Sequence, residues 1–191
     1  MENLLNIISK KIACKLDKNN QSTETEQLQM YYGLQILLYN VTVTSLILLL
    51  SLAISTFFET LLLFAFFGTL RIIAGGYHFS SVWKCVMATT LIMLSGGKFA
   101  QLIQIPMPAC LFLCLFMDII FFKHIPRGTL KNPYSAEYSQ RQQKLLRIIC
   151  CFLTLTAILT DSILREIIVI AMSIVMVSLL PIYYHKFQES A

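Results

Sequence analysis

The chain has 191 residues, of which 57% are hydrophobic and 13% are charged, and its net charge is +5. A soluble domain is nearer a quarter charged, so this composition excludes an ordinary soluble fold and leaves room for several membrane spans of about 20 residues each. The six cysteines do not predict a disulfide framework, because most of them lie inside apolar runs without a secretory context.

The amino-terminal segment 1–20 predicts an amphipathic helix. Its apolar residues recur at helical spacing, at Leu4, Leu5, Ile8, Ile12 and Leu16. The lysines lie mostly off this stripe, which favours a helix lying in the membrane interface with its lysines toward anionic headgroups. A helix packed on the rest of the protein is the alternative. A secretory signal is not expected, because a polar stretch follows the lysines instead of an apolar core and cleavage site.

Apolar runs further along the chain predict six membrane spans. Thr23-x-x-Glu26 has the form of a capping box and predicts the start of the first helix. The spans are expected at residues 32–55, 57–71, 85–103, 106–122, 147–160 and 166–184. The second and fifth are short, and charged residues flank both. The sequence thus predicts an all-α, polytopic membrane bundle over about 32–184, within a single integral-membrane domain covering 1–191.

Positive charges are distributed unevenly over the two sides of these spans. With six spans, the amino-terminal tail, the 71–84 connection, a basic loop at 123–147 and the carboxyl-terminal tail share one side. Thirteen of the 15 lysines and arginines lie there, and only Lys98 and Arg165 lie on the other side. Because cytoplasmic loops carry an excess of lysine and arginine, both termini and the basic loop are predicted to be cytoplasmic. Thiols stay reduced on that side.

The connection between the second and third spans carries the most specific signal. It sets His78 and Cys85 seven residues apart, after the pair Gly75-Gly76. An imidazole can take the proton of a nearby thiol, and the imidazolium can later protonate a leaving amine. A continuous helix, or a loop folding back from the glycines, would bring the two together. The glycines would also let a substrate backbone approach closely. Taken singly, the cysteine and the histidine are more readily explained by packing and solvation, and the spacing of the pair leaves the two readings equally open.

The residue pattern of this connection resembles the signature of the AgrB family. The matching residues are Arg71, Ala74, Gly75, Gly76, His78 and Cys85. Members are bacterial membrane cysteine endopeptidases that process the AgrD autoinducer pro-peptide in quorum sensing. The resemblance extends over essentially the whole chain, in its length, its several spans and its basic loop after the fourth span. Within that loop, Lys131-Asn132-Pro133 resembles a Lys-Pro stretch of the family.

The resemblance implies that Cys85 is the nucleophile and His78 its base. The thiolate would attack a peptide bond near the carboxyl-terminal end of an AgrD-like pro-peptide, release an acidic tail and hold the acyl group as a thioester. A cysteine or serine of the pro-peptide would then close a thiolactone or lactone. Substrate contacts are expected from six further residues, namely Arg71, Gly75, Gly76, Lys131, Arg141 and Lys144. No metal or other cofactor is implied, and the sequence leaves a homodimer open.

Other residues give weaker signals. Cys110, Cys114 and Asp118 recur every four residues on one face of the fourth span. A metal site would need more ligands, so packing is favoured for the thiols, while the acid is expected to face the bundle or a cavity. No phosphate loop, dinucleotide fingerprint or HExxH sequence occurs, and nucleic acid is not an expected partner. The alternative function is a non-enzymatic membrane protein, a small transporter or partner-binding subunit, although no internal repeat supports a transporter.

Overall fold

The computed structural model describes residues 2–17, 23–74, 82–124, 136–160 and 163–179. Seven α-helices and no strand occur in those ranges, which confirms the predicted all-α class. The helices are α1 (Glu2–Asp17), α2 (Glu24–Ala53), α3 (Phe57–Ala74), α4 (Val82–Leu102), α5 (Met107–His124), α6 (Ala136–Leu159) and α7 (Ile163–Leu179). The chain divides into two compact units, Met1–Leu49 and Leu50–Ala191.

The first unit contains α1 and most of α2. In α1, the apolar Ile7, Ile8 and Ile12 are exposed, and so are its three lysines. The side chains of Leu4, Leu5 and Leu16, which complete the predicted stripe, lie outside the described part. At the start of α2, the backbone N–H of Thr23 donates to the Glu26 carboxylate at 2.8 Å. This bond is one arm of a capping box, so the predicted helix start is confirmed.

Each of the six predicted spans overlaps one of the helices α2 to α7, and residues 180–184 of the sixth lie outside the described residues. Among the described residues, four helices could cross a membrane by length and composition, at Thr25–Ala53, Phe57–Ala74, Trp83–Leu102 and Gln140–Leu159. The apolar part of α5, Met107–Phe122, is shorter, and α7 has 17 residues. A polytopic helical membrane bundle is therefore confirmed, while the number of full spans is less sharply defined than the predicted six.

Both ends of the basic loop predicted at 123–147 are helical in the structure. Helix α5 continues to His124 and α6 begins at Ala136, so the second half of the predicted loop is helical. This half contains one glutamate, three glutamines, two arginines and one lysine, which favour a helix although they are polar. Hydropathy located only the apolar part of α6. The predicted fifth span, 147–160, was too short for the same reason, because the candidate span is Gln140–Leu159.

Contacts within the second unit fix the directions of α3, α4 and α7. Late in α4, the Gln101 side-chain amide donates to the carbonyl oxygen of Ser55, just before α3, at 2.8 Å. The two helices are therefore antiparallel. Near the ends of α3 and α7, Arg71 Nη1 donates to Ser178 Oγ at 2.8 Å, so these two helices are parallel.

Two further hydrogen bonds orient α5 and α6. The N–H of Ile105, just before α5, donates to the carboxylate of Glu166 at the start of α7, at 3.1 Å. Early in α6, the Gln143 amide donates to the carbonyl oxygen of Phe122, late in α5, at 3.2 Å. It follows that α3, α5 and α7 end, and α4 and α6 begin, at the same end of the unit. We call it the Cys85 end and the opposite one the Arg165 end.

Helix α7 lies at the centre of the second unit, where it packs against α3, α4, α5 and α6. Two charged residues of α7, Arg165 and Glu166, are buried. The guanidinium donates to the carbonyl oxygens of Ala157, at 3.1 Å, and Ile105, at 3.2 Å. Together with the Ile105 N–H bond to Glu166, these contacts offset the cost of burying the charges. They tie the connection before α5 and the last turn of α6 to α7.

Helices α3 and α4 approach each other closely at Gly97. A Cβ atom there would lie 2.5 Å from Thr60 Oγ1 and 3.4 Å from the Thr60 backbone nitrogen. Thr60 cannot easily move, because it is fully buried and its backbone N–H donates to the carbonyl oxygen of Thr56 at 2.9 Å. The absence of a side chain at Gly97 therefore allows the antiparallel hairpin to close.

We expect Gly97→Ala to lower the stability of the bundle by about 1–3 kcal/mol, since the new methyl group must push α3 and α4 apart. Gly68→Ala on α3 is the matched control, because a Cβ atom there meets nothing within 4 Å. In that open environment alanine should be neutral or stabilise the helix by up to about 1 kcal/mol. Thermal unfolding of both variants in detergent, followed by size-exclusion chromatography, measures the difference. Equal melting temperatures would contradict the close approach at Gly97.

Candidate active site

Cys85 lies in the first turn of α4, and its thiol is free and half-buried. Next to it, Trp83 and Lys84 are exposed, whereas Val86 is buried. The thiol is therefore partly accessible from outside the bundle.

The interval that carries the predicted base joins α3 to α4. Helix α3 ends at Ala74 and α4 begins at Val82, and both of these helix ends lie at the Cys85 end of the unit. Four predicted site residues lie outside the described residues: Gly75, Gly76, His78 and Lys131. Their roles stay predictions. The structure describes the two helix ends on either side of the interval that contains His78, and it describes Cys85.

Arg71 lies in the last turn of α3 and is half-buried. Its Nη1 donates to Ser178 Oγ on α7 at 2.8 Å, and its guanidinium carbon lies 6.0 Å from the centre of the Phe67 ring. The cation also suits the carboxyl-terminal end of a helix, where the backbone carbonyls favour a positive charge. These contacts hold the side chain against the bundle, and the substrate contact of Arg71 stays a prediction.

Arg141 and Lys144 lie in the first half of α6, at the Cys85 end, and both are exposed. Their neighbour Arg147 has its guanidinium carbon 5.6 Å from the centre of the Phe122 ring on α5. The described part of the predicted cationic surface therefore lies on α6, at the same end of the unit as Cys85.

The other cysteines separate into buried and exposed groups. Cys110, Cys114 and Cys150 are buried, and the sulfur atoms of the first two are 4.0 Å apart. Asp118 is also buried, as predicted, and accepts a hydrogen bond from Thr154 Oγ1 at 2.9 Å. Within the described ranges, no group of three or more histidine, cysteine or acidic residues could hold a metal ion. The buried thiols pack in the core of the second unit.

Two features were missed by sequence reasoning. One is Ser178 as the partner of Arg71, because a single serine in an apolar run carries no signal of its own. The other is a cavity of about 550 Å³ at the Arg165 end, lined by the end of α4, the 103–106 connection and the start of α7. The available sequence signal for this cavity was the adjacent pair of opposite charges, Arg165 and Glu166, inside an apolar run. The cavity lies at the end of the unit opposite to Cys85.

Comparisons with known proteins point to one family. The family model described as Accessory gene regulator B matches residues 9–180. The accessory gene regulator protein B of Staphylococcus epidermidis is 24% identical over 185 residues, which cover 95% of each chain. A putative AgrB-like protein of Clostridium acetobutylicum is 23% identical, over 96% of this chain and 87% of the relative. Protein FsrB of Enterococcus faecalis is 24% identical, over 87% and 69% respectively. No solved structure matches the chain significantly.

The packed helices, four of which could span a membrane, define a polytopic helical membrane protein. Because the family match covers most of the sequence, the chain belongs to the accessory gene regulator B family, as the central signature predicted. It therefore takes part in accessory gene regulation, the quorum-sensing system of an AgrD-like pro-peptide, at a membrane.

Proposed function

We propose that this protein is a cysteine endopeptidase that cleaves the tail from an AgrD-like pro-peptide and promotes closure of the remaining peptide into a ring. The observation that carries the proposal is the free, half-buried thiol of Cys85 in the first turn of α4, inside the family match. Among the described cysteines, Cys14 and Cys151 are more exposed than Cys85, but neither belongs to the signature that pairs a cysteine with a histidine.

In the first step, His78 takes the proton of the Cys85 thiol, and the thiolate sulfur attacks the carbonyl carbon of the scissile peptide bond. The imidazolium then protonates the leaving nitrogen, and the tail departs with a free amino group. The acyl group stays on Cys85 Sγ as a thioester. The thiol of a pro-peptide cysteine attacks this carbonyl carbon, forms the thiolactone and returns Cys85 to its thiol form. A serine hydroxyl in the same place gives a lactone.

Co-expression with the candidate pro-peptide, followed by mass spectrometry, tests the proposal. On cyclisation the pro-peptide should lose the full mass of the free tail peptide, because ring closure consumes no water and the tail leaves with its own amino group. A product heavier than the ring by one water would be linear and would show cleavage without ring closure. An unprocessed peptide, with the protein present in the membrane at normal level, would instead favour the non-enzymatic alternative.

We place the Cys85 end of the unit in the cytoplasm, because the described cations Arg71, Lys84, Arg141, Lys144 and Arg147 lie there. A membrane-impermeant thiol reagent added to whole cells should therefore label Lys98→Cys, at the Arg165 end on the outer side of the membrane, and not Glu137→Cys on α6. Both original side chains are exposed, so reagent access is matched within the protein. The background should lack Cys14, Cys85 and Cys151. Labelling of Glu137→Cys alone would reverse the orientation.

The cations of α6 are proposed to attract the acidic tail, together with Lys131. Each exposed charge contact contributes only about 0–1 kcal/mol, so single changes should matter little. Combined reversal to glutamate at Lys131, Arg141 and Lys144 should slow cleavage of the acidic-tailed peptide and spare a peptide whose tail acids are amidated. Lys98→Glu, at the Arg165 end, is the control and should slow neither. Equal slowing of both peptides by the triple variant would show a structural role for these residues.

A further inference from the structure

The hydrogen bond between Arg71 and Ser178 joins residues 107 positions apart in sequence. It connects the last turn of α3 to the last turns of α7, at the Cys85 end. The serine hydroxyl has a fixed direction, because it donates its own proton to the carbonyl oxygen of Val175 at 2.7 Å. Its lone pairs are therefore left to accept from the guanidinium.

Both partners of this bond stand on well-packed helix ends. On α3, Ile73 and Ala74 are buried, and on α7, Val175 and Leu179 are buried. Helix α7 in turn packs against four other helices. The guanidinium donor on α3 is therefore bonded to the serine acceptor on α7, which the core of the unit holds in place. The bond thus fixes the last turn of α3 relative to α7.

That last turn leads directly into the interval with the proposed base. Arg71 precedes His78 by seven residues, and the interval is anchored at its other side by the first turn of α4, where Cys85 lies. Proton transfer requires the imidazole within about 3 Å of the sulfur, and a misplacement of 1 Å can cost about 10²-fold in rate. Small displacements of the end of α3 should therefore matter to the reaction.

We propose that Ser178 is a positioning residue for the cysteine–histidine pair, acting through Arg71, and this inference rests on the proposed function. By holding the guanidinium, Ser178 fixes the end of α3 and hence the point from which the His78 interval starts. Arg71 then serves the reaction by position, through its bond to α7, and not by binding the pro-peptide.

The rate of alkylation of Cys85 in the absence of pro-peptide distinguishes these two roles for Arg71. A residue that only binds substrate leaves the free enzyme unchanged, whereas a residue that positions the base changes the reactivity of the thiol. With Cys14 and Cys151 replaced by serine, Ser178→Ala and Arg71→Ala should each slow alkylation at neutral pH by about ten-fold. Ser178→Thr keeps the hydroxyl and should restore most of the rate. In turnover, Ser178→Ala should lower kcat and leave KM nearly unchanged.

Ser173→Ala is the matched control on the same helix. Its hydroxyl donates to the carbonyl oxygen of Val169 at 2.7 Å and contacts the sulfur of Met117 at 3.4 Å, so its loss loosens α7 in a comparable way. The control should alkylate at the wild-type rate. Slowing equal to that of Ser178→Ala would overturn the proposal, because general loosening would then explain both. A higher KM with unchanged kcat and unchanged alkylation in Ser178→Ala would overturn it as well.

The variant His78→Ala separates failure of this inference from failure of the proposed function. If His78→Ala slows alkylation and Ser178→Ala does not, only the positioning role is lost. If His78→Ala alkylates as fast as the wild type, His78 does not activate Cys85, and the positioning inference falls together with the proposed role of His78 as the base.

Discussion

Cys85→Ala should abolish release of the pro-peptide tail while the protein remains in the membrane at its normal level. Without the sulfur no acyl-enzyme can form, and loss of a nucleophile of this kind lowers turnover by more than about 10³-fold. The structural cost should be small, because the thiol is half-buried and the change removes a single heavy atom from a helical turn. Substitutions of this size near the surface usually lower the free energy of unfolding by less than about 0.5 kcal/mol. Mass spectrometry of co-expressed pro-peptide, with immunoblots of the membrane fraction, measures both quantities.

The remaining cysteines supply the control for this prediction. Cys14 and Cys151 are exposed and can become serine, while the three buried thiols should become alanine, which adds no polar group to the core: Cys110, Cys114 and Cys150. This combined variant should keep most of its activity, although the buried changes lower its stability. Normal cleavage by Cys85→Ala, or loss of cleavage in the combined variant without loss of protein, would rule out Cys85 as the nucleophile.

Sequence reasoning located the helices of the bundle well, because apolar runs of membrane length have few other structures open to them. It also located the start of α2 from the Thr23 and Glu26 pattern, since a capping box is a local interaction. The central signature was enough to indicate the family, and the match over residues 9–180 confirmed it. These predictions depend on short-range chemistry or on a fixed sequence of residue types.

Features that depend on packing between distant segments were not predictable in the same way. Hydropathy does not distinguish a helix facing lipid from one buried among other helices, so nothing in the sequence placed α7 at the centre. Arg165 was counted as a charge of an external connection, yet it is buried and bonded to the backbone at Ala157 and Ile105. The bond from Arg71 to Ser178 likewise exists only once α3 and α7 lie side by side.

His78→Ala should lower the rate of tail release by about 10²–10⁴-fold, which is the usual contribution of a positioned general base. The protein should remain folded, and the alkylation of Cys85 at neutral pH should slow in parallel, because the thiol then has no nearby imidazole to take its proton. Rates of cleavage and of alkylation, measured on the same membrane preparation, report the two effects. Added imidazole should restore part of the cleavage rate, since a small base can occupy the space that the missing ring leaves.

The sequence offers a complete set of histidine controls, since it contains only three. His124 is the last residue of α5, and His185 lies in the carboxyl-terminal tail outside the described residues. Neither belongs to the signature, so His124→Ala and His185→Ala should cleave and alkylate as the wild type does. A loss of cleavage in His78→Ala with unchanged alkylation of Cys85 would separate the histidine from the thiol. It would then act on the pro-peptide or on the leaving group, and a different residue would have to activate Cys85.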